Sequence, residues 1–254
     1  MKWSTKILIS ILAAILAEMF LSNMVMKKEF NRVDKTDLYW NYEQVLNQHF
    51  KYLKIDGGNI TNIAFEQSPH CSVRVLNEWL NSHPTPINTR IEDDTLFVKF
   101  IYKPVDYAST GWMKWTTLVR ISAPELLSVE GTDTKFEMFK LKQKTLTVKM
   151  SGRSTFEVES LMRHLDSLNI SQKDSSSLVI ELSTDYWKTN EKHILNYNGM
   201  EFRSPQTMDI QSVKADVQGY SLLDLGHAQI NSLNLKVEDS AAVILSGGAL
   251  RKLK

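Results

Sequence analysis

Four carboxylates, Glu157, Glu181, Asp224 and Glu238, stand at the polar phase of alternating segments, and paired acids along a groove are what polysaccharide-cleaving enzymes use. They fall in separate repeats with no flanking motif to join any two, so a solvated face is the favoured reading. The six histidines, at 49, 70, 83, 164, 193 and 227, show no metal-ligand spacing. His70 and Cys71 are neighbours, and neighbouring side chains on a strand point to opposite faces, which argues against a shared metal or a thiolate pair. There is no Walker loop, dinucleotide turn, nucleophile elbow or zincin helix, so neither a cofactor nor a metal is expected. The aromatics are more suggestive. Trp112, Trp115, Tyr186 and Trp187 lie outside the regular patterns beside Asn and Lys, and a ring with a polar rim suits a sugar. These four are the candidate ligand-binding residues. The favoured competing reading is that they, with Trp79, cap the open ends of the fold or pack beneath the loops.

The elements that must position these groups are strands. From Tyr52 onward short runs alternate apolar and polar residues: Leu53 to Ile55, Ile63 to Phe65, Val73 to Val75, Leu96 to Phe100 and Leu118 to Ile121. Period-two alternation buries one face of each strand and wets the other. Asp56-Gly57-Gly58-Asn59, Ser68-Pro69 and Asp93-Asp94-Thr95 supply turns between them.

The second half repeats a unit made of an alternating strand, a small polar turn and a second alternating strand. It begins at Leu146, at Leu168 and again at Leu233, with weaker copies from Leu127 and Val213. Most starts lie about 20 residues apart, and the 45 residues from Leu168 to Val213 read as about two periods. Such a period with strand content predicts a solenoid whose units share one core. The expected inward residues are Val148, Phe156, Val158, Ile170, Val179, Ile180, Leu235, Val237, Val243 and Leu245. A leucine-rich frame is absent, so the prediction is an all-β, parallel β-helix. Ser151-Gly152, Asp174-Ser175-Ser176 and Asp239-Ser240 are its tight turns, where Ser and Asp side chains satisfy backbone donors.

The amino-terminal region is different. From Ile7 to Met26, 16 of 20 residues are apolar, and 20 helical residues cover about 30 Å, the hydrocarbon thickness of a bilayer. Residues 1–28 carry a net +3 and the rest −2, for an overall +1 that lacks the basic excess of a nucleic-acid binder. Glu18 is unfavourable by a few kcal/mol at mid-bilayer if ionised, which leaves it neutral or nearer an interface. An uncleaved signal anchor is favoured over a cleaved signal peptide, because the cleavage site would be poor and the apolar run continues past it. The expected organisation is a transmembrane helix over 1–28, a juxtamembrane linker over 29–51 with a short helix capped by Asp37, and a β-helix over 52–254. Irregular insertions are expected near 77–88, 102–117 and 183–207. They sit where solenoids often carry their binding surface.

The order of motifs resembles the auto-transporter adhesin head GIN domain family, bacterial β-helix proteins of the cell envelope. The resemblance runs over roughly residues 52–250. It rests on Ile63-Ala-Phe-Glu-Gln-Ser68, Val73-Arg-Val75, Asp94-Thr-Leu-Phe-Val98, Val119-Arg-Ile-Ser-Ala-Pro-Glu-Leu126 and the core repeat Ser151-Gly-Arg-Ser154. Thr132-Asp133-Thr134 and Lys173-Asp174-Ser175 depart from that core. The resemblance implies a right-handed coil and an envelope location, and it supplies no catalytic residues. The expectation is a non-catalytic, adhesin-like binding protein. It would be held in the inner membrane by residues 7–26, with its domain in the periplasm and an envelope glycan or protein as partner. The alternative is a carbohydrate-active enzyme using the outward carboxylates beside the aromatic insertions.

Overall fold

The structure is a computed structural model that describes residues 2–32, 34, 37–82, 87–101, 116–182, 194–197, 200–203 and 208–250. The chain divides into two units, Met1–Tyr42 and Glu43–Lys254. The first is dominated by helix α1 (Trp3–Arg32), long and apolar enough by length and composition to cross a membrane, with none of its residues buried in the protein. It extends beyond the apolar run through Lys27, Lys28 and Glu29, where the Arg32–Glu29 pair at 3.0 Å spans one turn.

The second unit is mostly β. In chain order its elements are β1 (Tyr42–Leu46), β2 (Tyr52–Asp56), β3 (Asn62–Gln67), β4 (Ser72–Leu76), α2 (Asn77–Ser82), β5 (Ile87–Glu92), β6 (Thr95–Phe100) and β7 (Thr117–Ala123). They continue with β8 (Ser128–Thr132), β9 (Lys135–Leu141), β10 (Thr145–Ser151), β11 (Thr155–Ser160), β12 (His164–Gln172), β13 (Ser177–Leu182), β14 (Ile194–Tyr197) and β15 (Met200–Arg203). The last are β16 (Asp209–Val217), β17 (Leu222–Asp224), β18 (Gln229–Val237), β19 (Ala242–Ile244) and α3 (Gly247–Leu250).

Two mixed sheets take most of these strands. Sheet A has the order β1-β4-β7-β3-β9-β11-β13-β17-β19, and sheet B has the order β18-β16-β12-β10-β8-β2-β6-β5. From β8 to β13 and from β16 to β19, successive strands alternate between the sheets, and each pairs in parallel with the strand one repeat on. The sequence offsets are the registers. Leu146 lies opposite Leu168, Leu168 opposite Val213, and Val213 opposite Leu233. The 45-residue interval is therefore a single step of the stack, not two periods. The extra residues belong to an insertion that includes the antiparallel pair β14–β15.

Inward residues stack in columns. Phe136 and Phe156 are fully buried with ring centroids 5.2 Å apart, and Val148, Val158 and Ile180 are buried beside them. Val179, expected inside, instead points outward. It registers with Glu157 on one side and Asp224 on the other, and strict alternation gives the inward place to its neighbour Leu178. Leu235, Val243 and Leu245 are only half-buried and Val237 is 42% exposed, because β18 and β19 stand at the ends of their sheets, with no further strand beside them among the described residues.

The turns form a column of their own. Gly57, Asp133, Gly152, Asp174 and Gly219 occupy matching positions, and all have positive φ. Asp tolerates this region because its side chain bonds locally. Acids from neighbouring turns cap two of them: the Arg153 N–H donates to Asp133 Oδ1 at 2.9 Å, the Gly152 N–H to Asp174 Oδ2 at 2.8 Å, and the Gly219 N–H to Glu238 Oε2 at 2.9 Å. Just past the turn lies a buried hydroxyl column of Thr61, Thr134, Ser154, Ser176 and Ser221. Ser154 Oγ donates to the Ser151 carbonyl at 2.6 Å and accepts from the Thr134 N–H at 3.1 Å, which explains the second serine of the Ser-Gly-Arg-Ser motif. The expected role of these small residues as turn chemistry is observed.

One other expectation is corrected. Residues 42–46 form strand β1 instead of a helix reaching Leu46. Asp37 closes only a tight turn, accepting the Tyr39 N–H at 2.8 Å, while an edge of sheet A supplies hydrogen bonds to Tyr42–Leu46. Trp79 sits on α2 and is only 1% exposed, in keeping with the reading of the aromatics as rings packed within the fold.

Candidate binding face

The outer face of sheet B carries the largest of the described depressions, about 360 Å³, over β5, β6, β2 and β8. The Asp93-Asp94 turn builds its edge. Both residues have positive φ, which suits a two-residue hairpin of the type that matches strand twist, and β5 folds back antiparallel on β6. Leu96, Val98 and Phe100 of β6 point inward and are buried, so Phe97 must point out. An aromatic at the outward phase of an alternating strand was a readable signal that attention to the insertions passed over.

Register sets the neighbours of Phe97, with Arg90 opposite it on β5 and Lys54 on β2. The Arg90 guanidinium carbon lies 4.8 Å from the ring centroid and Lys54 Nζ 6.0 Å from it, within cation–π range. The ring thus fixes two cations over the groove. Each is also paired: Arg90 Nε with Glu92 at 3.3 Å, and Lys54 Nζ with Glu130 at 3.3 Å. One row along, Lys99 meets Asp56 at 3.1 Å, with Asn88 and Thr132 on either side of that pair. A second depression of about 240 Å³ continues past Glu130 and is lined by Lys149, Ser151, Ser171 and Lys173. These hydrogen-bond donors and paired charges can bind a polar ligand.

Sheet A differs. Glu137, Glu157, Val179 and Asp224 share one outward column, and Glu159 and Glu181 share the next but one. A third depression, about 180 Å³, lies among Phe139, Glu157, Glu159, Val179 and Glu181. Burial raises the Glu137 carboxyl above its ordinary range, and the charges of Glu157 and Glu159 add to this against the opposing pull of Lys135. Glu181 is raised by burial and then by Glu159, Glu157 and Asp224. The repeat offset that joins Glu157 to Glu137 could have revealed this cluster from sequence. Of the four acids singled out there, the fold gathers Glu157, Glu181 and Asp224 on one face and sends Glu238 to cap a turn.

Trp112, Trp115, Tyr186 and Trp187 lie outside the described residues. Cys71 is a half-buried free thiol. His164 forms an exposed pair with Asp166 at 3.3 Å, and no group of His, Cys, Asp or Glu among the described residues has the arrangement of a metal site.

No family model matches the sequence, and no curated protein matches it. Among solved structures the chain is similar to a candidate adhesin of Bacteroides fragilis, 15% identical with a TM-score of 0.36 over 81% of this chain and 96% of that one. A candidate adhesin of Parabacteroides merdae is 16% identical, with a TM-score of 0.32 over 81% and 95%. A candidate lipid-binding protein of Parabacteroides distasonis is 13% identical, with a TM-score of 0.36 over 81% and 94%.

Proposed function

We propose that this chain is a non-catalytic binding protein of the bacterial envelope, tethered in the inner membrane by residues 7–26 and presenting its β domain to the periplasm. The observation that carries the binding role is the Phe97 groove, where one ring holds Arg90 and Lys54, each paired with a carboxylate, beside the Lys99–Asp56 pair. A ligand meeting such a surface finds donors and acceptors already oriented, which lowers the ordering cost of binding. The alternating parallel strands and their turn column support the finer reading of a head GIN-like, right-handed parallel β-helix with two strands per turn. The length and apolar surface of α1 support the anchor. Trp112, Trp115, Tyr186 and Trp187 are kept in this proposal as additional sugar contacts.

The test is retention of the full chain on isolated cell-envelope glycan and protein fractions, with Phe97→Ala as the variant. The expected result is capture by at least one fraction, weakened more than fivefold by Phe97→Ala. Failure of every fraction to retain the protein, in pull-down and in crosslinking, contradicts it. The enzymatic alternative draws on the raised carboxyls of sheet A. It requires that the protein depolymerise a polysaccharide and that Glu181→Gln abolish the reaction.

A further inference from the structure

We infer that the ligand is an acidic, carboxylate-bearing polysaccharide lying across the strands of sheet B. This rests on the reading of sheet B as the binding face and names what that face takes. The two depressions share Glu130 and together run from β5 through β6, β2, β8 and β10 to β12. Six strands at about 4.8 Å spacing give a track about 24 Å long. Cations recur along it: Arg90 and Lys54 at the Phe97 end, Lys99 beside them, then Lys149 and Lys173. Asp56 and Glu130 line the same two depressions and Glu92 pairs with Arg90, so five cations stand against three carboxylates and the track stays net positive. The opposite outer face gathers Glu137, Glu157, Glu159, Glu181 and Asp224, so an anionic chain is drawn to sheet B and turned away from sheet A.

Sparse charge distinguishes an acidic glycan from a polyphosphate. Glu130 stands between Lys54 and Lys149 in register, and Asp56 beside Lys99, so a ligand with a phosphate at every step meets a carboxylate on β2 and again on β8, in the middle of the track. A chain with one carboxylate per sugar can set its acids on the lysines and its hydroxyls on Asn88, Thr132, Ser151 and Ser171, and on the carboxylates themselves. On binding, Lys54 and Lys99 exchange a protein carboxylate for the ligand's.

The test titrates the full chain in detergent micelles with polygalacturonate at low salt. The expected result is binding that weakens steeply with added salt and falls more than tenfold in Lys149→Glu/Lys173→Glu, whose far-UV circular dichroism is unchanged. The milder Lys149→Gln/Lys173→Gln gives a smaller loss in the same direction. Glu157→Gln on sheet A leaves affinity within twofold. Binding of neutral dextran but not polygalacturonate overturns this inference and leaves the binding role standing. Tighter binding of inorganic polyphosphate or of a single-stranded oligonucleotide also overturns it, as does polygalacturonate binding that both lysine variants leave intact. No retention on any envelope fraction overturns the binding role as well.

Discussion

The outer faces of the two sheets obey the same register rule and resolve it in opposite ways. Parallel in-register stacking sets residues one repeat apart side by side at about 4.8 Å, so any charge kept at the same phase of the repeat meets its own copy. Sheet B avoids this by alternation: Arg90, Phe97, Lys54, Glu130, Lys149, Ser171, Asp216 and Lys236 follow one another across the strands, and Lys54–Glu130 and Lys236–Asp216 pair. Sheet A leaves Glu137 beside Glu157 and Glu159 beside Glu181, and this repulsion adds to burial in raising the Glu137 and Glu181 carboxyls. One face is electrostatically settled and available to a ligand. The other stores like-charge repulsion that the core beneath it must outweigh.

That core supplies the largest expected effect. Phe156 and Glu157 are neighbours on β11, one fully buried against Phe136 and the other exposed. Phe156→Ala should cost about 3–5 kcal/mol in denaturant unfolding of the β domain. A cost below about 1 kcal/mol would mean that the stacked inward columns do not carry the stability. Glu157→Gln should do the opposite on a smaller scale, stabilising the domain by about 0.5 kcal/mol at neutral pH. The pH dependence fixes its sign. Glu137 and Glu181 have folded values raised above the ordinary 4.5, so the native state binds more protons than the unfolded chain just above that pH. Stability contributed by these two groups is therefore full below 4.5 and declines as pH rises through their folded values. The groups facing them are Lys135, Glu157, Glu159 and Asp224, and removing the Glu157 charge should flatten the decline. An unchanged slope would contradict the repulsion. The smallest effect belongs to sheet B. Lys54 and Glu130 are about half exposed, so a double-mutant cycle between them should give about 0.3 kcal/mol, and a coupling above about 1 kcal/mol would show that this face is built for stability rather than for a ligand.

Much of this architecture was legible in the sequence because parallel stacking turns a repeat offset directly into a spatial register. The starts at Leu146, Leu168, Val213 and Leu233 are neighbours in sheet B, and the small polar turns are the left-handed column of Asp133, Gly152, Asp174 and Gly219. What was missed depended on partners that local sequence does not contain. Tyr42–Leu46 becomes a strand because an edge of sheet A accepts it. Val179 was placed inside on apolarity alone, although the phase set by Leu178 and Ile180 already put it outside. Phe97 and the Glu137–Glu159 neighbourhood are legible only when phase and repeat offset are read together across strands. Each residue is unremarkable on its own strand, and its meaning comes from the strand beside it.

Hydrogen–deuterium exchange of the full chain with and without polygalacturonate tests the assignment of the binding face most directly. The prediction is added protection confined to β5, β6, β2, β8, β10 and β12, with β9, β11 and β13 unchanged. Protection centred on β9, β11 and β13, or no change on any strand at saturating polysaccharide, would contradict it.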